Sequence, residues 1–362
     1  MSISLFRPSV PPLSAYLPYL EMVESNQMYS NFGPLHDLFS KRLSDYFLLQ
    51  PSQIELFSNG TMALVAALHS LKIAQRPYCL LPSWTFSASA QAVVAAGLIP
   101  IFVDVDETTM QLNAEILHSV SEEILKKTSV VLIVSPFGAP LNLSGFKELS
   151  EHFGMKVLCD CAAGFDAVQQ IQFPTVISMH ATKSFGIGEG GALLGLDEEL
   201  IANARAYSNF GFMGGRESRT LGVNGKLSEF HAAIGLAALD LWAETRSGYF
   251  VQATQYLNNK TDSDTFQFQN GWGSNWISSS CVIRFSDENL KRHKKSQLLT
   301  QNISTRDWWE SGCHLQPAFK SYKSMGSLSN TLKLASVTLG IPFYRGIDFC
   351  SVDKIFQILN DV

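Results

Sequence analysis

Ser178-Met-His-Ala-Thr-Lys183-Ser-Phe-Gly-Ile-Gly-Glu-Gly-Gly191 carries one lysine between a short apolar run, Val176 and Ile177, and a flexible, glycine-rich turn. Twenty-three residues earlier, Lys156-Val-Leu-Cys-Asp160 reads as a buried strand that delivers a carboxylate at its carboxyl end. A lysine amine can form a Schiff base with an aldehyde, and a carboxylate can keep a pyridine nitrogen protonated. The pair therefore suits pyridoxal phosphate chemistry. Either residue alone says little, since most lysines are solvated and most strand-end aspartates cap a neighbouring segment. The segments around them supply what the pair lacks.

Working outward, strands and helices alternate from Glu55 to Val134. Ala63, Leu64, Ala67 and Leu68 repeat at helical spacing behind Asn59-Gly60, which predicts a helix over Gly60–Leu71. Tyr78–Pro82 and Pro100–Asp104 read as strands with a helix, Ser87–Ala96, between them. A helix near Ala114–Val120 precedes the strand Val130–Val134, and a helix over Leu143–Phe153 leads into the strand Lys156–Cys159. Short apolar runs between helices indicate strands buried on both faces, hence an α/β fold with a mainly parallel sheet between helices. Ligands gather at the carboxyl ends of such strands. Pro82-Ser-Trp-Thr-Phe86, Asp104, Ser135-Pro-Phe-Gly138 and Asp160 all fall there. One long helix is predicted over Ser228–Thr245, leading to short strands such as Ser280–Arg284 and a final amphipathic helix, Val352–Leu359. The expected division is a large domain over residues 1–245 and a smaller C-terminal α+β domain over residues 246–362.

With 362 residues, 46% of them hydrophobic and 16% charged, the chain has material for a sizeable core and a subunit interface. A net charge of −5 argues against a general binder of nucleic acid or of membrane surfaces. The six cysteines are scattered, and Cys159-Asp-Cys161 has no metal-site spacing, so buried thiols and no metal are expected. The N-terminus has no signal-peptide pattern, and no apolar stretch approaches the roughly 20 residues needed to span a bilayer. A cytoplasmic location is the expectation.

Ser58-Asn-Gly-Thr61 opens the first helix after a strand-like segment. Backbone N–H groups at a helix N-terminus, with a threonine hydroxyl, make a phosphate cradle; an ordinary Asn-Gly turn with a Thr cap explains the same residues. Phe86 and Trp84 are each placed to stack on a pyridine ring, or to serve as plain core. Ser178, five residues before Lys183, is near enough to share the phosphate or to make a local strand-end hydrogen bond.

Tyr29-Ser-Asn-Phe-Gly-Pro-Leu35, Ser58–Thr61, Pro82–Phe86, Phe102-Val-Asp-Val-Asp106, Asp160, His180-Ala-Thr-Lys183 and Gly188-Glu-Gly-Gly191 follow one another in order. With Gly222-Val-Asn-Gly-Lys-Leu-Ser-Glu-Phe-His-Ala-Ala233 and Gly340-Ile-Pro-Phe-Tyr344, the set resembles the DegT/DnrJ/EryC1/StrS family over nearly the whole chain. These are sugar-nucleotide aminotransferases of the aspartate aminotransferase fold (fold type I). The resemblance implies that Lys183 is the Schiff-base lysine and Asp160 the pyridinium partner of pyridoxal 5′-phosphate. Gly60, Thr61 and Ser178 would hold the phosphate, and Phe86 would stack on the ring. Asn224 matches an asparagine that reaches the phosphate from the neighbouring subunit, which implies a homodimer with shared sites. His314 matches a region lining the sugar-nucleotide pocket, with a purely structural histidine as the other reading.

The chain departs from the family pattern at Asp160-Cys-Ala-Ala163, where Gln or His usually follows Asp-Ala-Ala, at Asp166 in place of glycine and at Ser135 in place of histidine. The implied reaction moves an amino group from an amino acid, L-glutamate, to a nucleotide-linked keto-deoxysugar for cell-surface polysaccharide or secondary-metabolite sugars. The Tyr29–Leu35 and Asn224–Ala233 segments look like the branch acting on dTDP-4-keto-6-deoxyhexoses; a 3-keto sugar or a cyclitol ketone stays open. Lys183 argues against the family's 3-deoxygenating dehydratases, which carry histidine there, and Cys313 has no setting for a desulfurase. Ala163 keeps a non-catalytic binding or regulatory protein as the alternative of a different class.

Overall fold

The computed structural model describes residues 2–261 and 265–361. Seven strands, β1 (Ile54–Phe57), β2 (Tyr78–Pro82), β3 (Ile99–Val103), β4 (Thr128–Val134), β5 (Lys156–Asp160), β6 (Thr175–Ser178) and β7 (Gly191–Leu194), form one sheet in the order β1-β7-β6-β5-β4-β2-β3. The pairings from β6 through β3 are parallel, while β7 runs antiparallel to β1 and β6. Alternate residues enter opposite cores, as a pleated strand requires. Val131 and Ile133 of β4 join one cluster with Leu80 and Val157, whereas Val130 and Leu132 join another with Leu81 and Leu158. Helices cover both faces, which is why these runs are apolar throughout rather than alternating.

A second sheet, β8 (Phe266–Phe268), β9 (Cys281–Phe285) and β10 (Thr338–Ile341), is antiparallel in the order β10-β9-β8. The first residues of the chain lie beside it. Ile3 N donates to Asn302 O (3.0 Å), Ser304 N to Ile3 O (2.9 Å) and Phe343 N to Leu5 O (3.0 Å). No helix among the described residues is long and apolar enough to cross a membrane.

Several elements differ from the sequence reading for local reasons. The helix predicted over Ser228–Thr245 is two helices, Glu229–Asp240 and Trp242–Asn259, broken at Leu241 (φ −96°, ψ 1°). Apolar spacing continues through the break, so periodicity cannot reveal it. The turn lets Trp242 pack edge-on to Phe165 and Phe185 and donate from Nε1 to Tyr46 Oη at 2.8 Å. The helix read from Leu143 begins at Phe146, because Gly145 is left-handed (φ 78°) and a Cβ there would meet Ala114 Cβ at 2.8 Å. The region near Ala114–Val120 holds two short helices, Ala114–Leu117 and Glu122–Lys126.

The Tyr29–Leu35 and Gly222–Ala233 motifs form one unit. Glu229, buried at the start of its own helix, accepts from Leu35 N and His36 N (2.8 Å each), the first turn of the helix Pro34–Tyr46. A carboxylate there satisfies orphan N–H groups and complements the helix dipole. Gly33 is required because any Cβ would lie 2.7 Å from the Glu229 carboxyl carbon. Tyr29 stacks on Phe230 and its carbonyl accepts from Glu229 N at 3.1 Å. Glu229→Ala leaves two buried N–H groups without a charged acceptor. It should lower the unfolding free energy by about 2–4 kcal/mol, read as a fall in the urea midpoint.

Candidate active site

Asp160 ends β5 and is almost fully buried. Ser89 Oγ donates to its Oδ2 at 2.7 Å and Ala162 N to its Oδ1 at 3.1 Å. Burial pushes this carboxyl above its ordinary value, against the opposing pull of the Ser89 and Ala162 donors and of the Lys183 charge. Lys183 is half-buried in the turn between β6 and β7. Withdrawal from water lowers its pKa, and the Asp160 charge opposes that fall.

The turn around Lys183 is held rather than loose. Met179 N donates to Gly190 O (2.8 Å), Ala181 N to Gly188 O (2.8 Å) and Ile187 N to Met179 O (2.9 Å), closing its neck. His180 Nε2 lies 3.7 Å from Glu189 Oε1 across that neck, and Phe185 stacks on Phe165 with ring centroids 4.1 Å apart. What the sequence presents as a flexible glycine-rich turn thus returns directly into β7.

The helix Gly60–Leu71 starts where β1 ends. Its cap is Asn59, whose side chain accepts from Met62 N at 2.8 Å, and not Thr61, which is exposed. The first-turn N–H groups of Gly60 and Thr61 have no acceptor within the helix. A Cβ on Gly60 would stand 2.8 Å from Ser178 Cβ, and one on Gly191 would stand 2.6 Å from Asn59 O. The end of β6, the start of β7 and the helix entrance are therefore pressed into one small concavity. It offers backbone donors and the Ser178 hydroxyl, which already accepts from His180 N at 3.3 Å. That donor set, free of any obstructing side chain, fits a phosphate. Together with an amine and a strand-end carboxylate, it fits pyridoxal phosphate.

The aromatic alternatives separate clearly. Trp84 is 1% exposed and packs edge-on to Phe137 and Trp309, so it is core, whereas Phe86 is 60% exposed at the start of the helix Ser87–Ala95. Asp104 leaves the set of site candidates. Its carboxylate accepts from Asn330 N, Thr331 N and Thr331 Oγ1 at 2.8–2.9 Å, holding the start of the helix Ser329–Val337. His314 is tied to the end of β2, with Nδ1 2.6 Å from Ser83 Oγ. Burial lowers its pKa and the Asp104 charge opposes this. Asn224 is exposed, on a segment whose Gly225 O accepts from Ser58 N at 2.7 Å, beside the cradle of its own chain.

The departures from the family pattern have distinct surroundings. Asp166 is buried, pairs with Arg246 and accepts from Ile277 N at 3.1 Å, joining the loop after β5 to the helix Trp242–Asn259 and to a segment near the small sheet. Ser135 Oγ turns away to Ala139 O (2.6 Å). Ala163 O abuts Gly138, where a Cβ would stand at 2.5 Å. Cys313 is buried, its thiol donates to Thr85 O and its pKa is pushed up to about 12, so it cannot serve as a thiolate nucleophile. Ser89 is the site residue that sequence reading missed. Its only signal is a serine in the first turn of a helix that starts at a strand end.

Residues 15–360 match the DegT/DnrJ/EryC1/StrS aminotransferase family. The chain is 27% identical to the dTDP-4-amino-4,6-dideoxy-D-glucose transaminase of Shigella dysenteriae, over 99% of both chains. It is 37% identical to Protein Rv3402c of Mycobacterium tuberculosis, covering 99% of this chain and 89% of that one. A solved Bacillus cereus structure, assigned as a PLP-dependent aminotransferase, matches the whole of both chains with a TM-score of 0.90 at 28% identity. The fold is that of fold type I, the cofactor is pyridoxal 5′-phosphate and the chain is a sugar-nucleotide aminotransferase. The reading as a non-catalytic binding protein is thereby set aside.

Gly60→Ala forces its methyl group against Ser178. It should weaken binding of pyridoxal phosphate to the apo-protein about 5- to 150-fold while leaving the circular-dichroism spectrum unchanged, since an overpacked contact costs about 1–3 kcal/mol. Absorbance titration of the apo-protein measures it.

Proposed function

The chain belongs to the DegT/DnrJ/EryC1/StrS aminotransferase family, and on that premise we propose that it transfers an amino group from L-glutamate to a dTDP-linked 4-keto-6-deoxyhexose. The observation that carries the site assignment is the pairing of a desolvated Lys183 with a buried Asp160, beside a glycine-lined helix entrance. The name of the Shigella relative supports the acceptor.

When bound, pyridoxal phosphate supplies an aldehyde that condenses with amines and an electron-withdrawing ring. Lys183 would anchor it, the Gly60 and Thr61 N–H groups with the Ser178 hydroxyl would hold its phosphate, Phe86 would cover the ring and Asp160 would pair with the ring nitrogen. When not bonded to the cofactor, Lys183 Nζ would serve as a base. Desolvation keeps that nitrogen neutral at a lower pH than a solvated lysine, so it can take a proton from the donor's Cα and return it one position along. Asp160 receives a donor at each oxygen, which favours its charged form against the pull of burial, and it would keep a proton on the ring nitrogen. In the second half-reaction Lys183 moves protons in the opposite order on the keto sugar, with His314 bordering the sugar pocket.

The active unit is a homodimer in which Asn224 reaches the partner's phosphate. Exposed Phe210, Met213 and Leu221 flank Asn224 in sequence and support a docking role for this segment. The large domain spans residues 1–245 and the small one residues 246–362, and the enzyme works in the cytoplasm.

With glutamate and dTDP-4-keto-6-deoxyglucose the purified enzyme should yield the 4-amino sugar by mass spectrometry. Turnover confined to a 3-keto sugar nucleotide or a cyclitol ketone would refute the acceptor. Lys183→Ala and Asn224→Ala should each be inactive alone. Mixed in equal amounts and allowed to exchange subunits fully, they should recover roughly a quarter of wild-type activity, because half the dimers then carry one intact shared site. No recovery would place Asn224 in the site of its own chain.

A further inference from the structure

Thr85, Ser89 and Asp160 form a buried chain of hydrogen bonds for which the reaction above gives no account of the two hydroxyls. Thr85 is fully buried and Ser89 is 1% exposed, in the first turn of the helix Ser87–Ala95. Ser89 has one proton and donates it to Asp160 Oδ2 at 2.7 Å. Its oxygen lies 2.8 Å from Thr85 Oγ1 and must therefore accept the threonine proton. The other acceptor open to Thr85, Phe86 O, is 3.5 Å away and too long to compete. The chain thus runs one way, from Thr85 to Ser89 to Asp160.

Thr85 is itself fixed from the far side, because the Cys313 thiol donates to its carbonyl at 3.2 Å. On Asp160 the remaining contact is the Ala162 N–H at Oδ1. Ser89 is the sole side-chain hydrogen-bond donor to Asp160 among the described residues. Ser135 spends its proton on Ala139 O, and Ala163 has only a methyl group. A carboxylate that receives donors at both oxygens is stabilised in its charged form, and a hydroxyl already polarised by a second hydroxyl is the better donor.

We propose that Ser89, oriented by Thr85, is the positioning residue that keeps Asp160 ionised and aimed, and so sets how strongly the site prefers a ring that carries a protonated nitrogen. The inference rests on the reading that Asp160 faces that nitrogen. The same segment then supplies both the aromatic cover, Phe86, and the electrostatic support behind the ring.

The test titrates apo-protein with pyridoxal phosphate and with its deaza analogue, in which carbon replaces the ring nitrogen, and compares dissociation constants. Wild type should prefer pyridoxal phosphate. Ser89→Ala should lose about 10- to 100-fold of that preference, the range for one hydrogen bond to a charged group, with the analogue's own affinity unchanged. Ser89→Thr should restore the preference, and Thr85→Val should reduce it less than Ser89→Ala does. An equal loss for both ligands would show a merely structural serine and overturn the proposal, as would a preference that survives Ser89→Ala. A wild type without any preference would overturn the placement of Asp160 and the inference with it. Should Ser89→Ala not fold, Ser89→Cys, with its weak donor, takes its place with the same expected direction.

Discussion

Asp160 lies out of water at the end of β5, and Lys183 is drawn partly out of water on the loop beside it. Burial drives each toward its neutral form, and the charge of each resists that drift in the other. The consequences for stability follow from the signs. The raised Asp160 pKa contributes stability that is full below the ordinary value of 3.8 and lost as pH rises through the folded value. The lowered Lys183 pKa contributes stability that is full above 10.5 and lost as pH falls through its folded value. Between the two folded values both losses are in force, so the apo-protein holds its reactive pair at a cost. A cofactor that paired with both groups would offset it. The donors on Asp160 and the closed neck under Lys183 are what make that poised arrangement persist.

Buried carboxylates also tie distant parts of the molecule together. Glu229 holds the start of the helix Pro34–Tyr46, Asp104 the start of the helix Ser329–Val337, and Asp166 joins Arg246 to Ile277. Each accepts backbone N–H groups, which a carboxylate does more strongly than a neutral acceptor. Asp104 and Asp166 act where the large sheet meets segments beside the small one. Ser83 with His314, and Thr85 with Cys313, add contacts along the same seam. The departure at Asp166 belongs to this support, whereas Ser135 bonds within its own loop.

Much of the scaffold was legible because it follows local rules. The helix Gly60–Leu71 and the strand Tyr78–Pro82 stand where apolar spacing and the Asn-Gly turn place them. Asp160 stands at the end of the strand Lys156–Asp160, as its apolar run placed it, and Lys183 stands in the glycine-rich turn between β6 and β7. The roles of Ser89 and Asp166 were not legible, because their partners lie 71, 80 and 111 residues away and no local pattern names those partners. The break at Leu241 was hidden for a related reason: apolar periodicity reports which face is buried, not a change of axis forced by Trp242.

By itself, then, the amino-acid sequence determined the α/β alternation, the family and its cofactor, since those depend on short-range patterns and on an ordered set of motifs. Only the tertiary structure decided that Phe86 and not Trp84 stays open, that Asp104 serves a distant helix, that Asn59 caps the cradle and that Ser89 supports Asp160. Those outcomes depend on which buried polar atoms find one another across the folded chain. Leaving such an atom unpaired away from water is costly, and the choice of partner is made by the packing of whole elements.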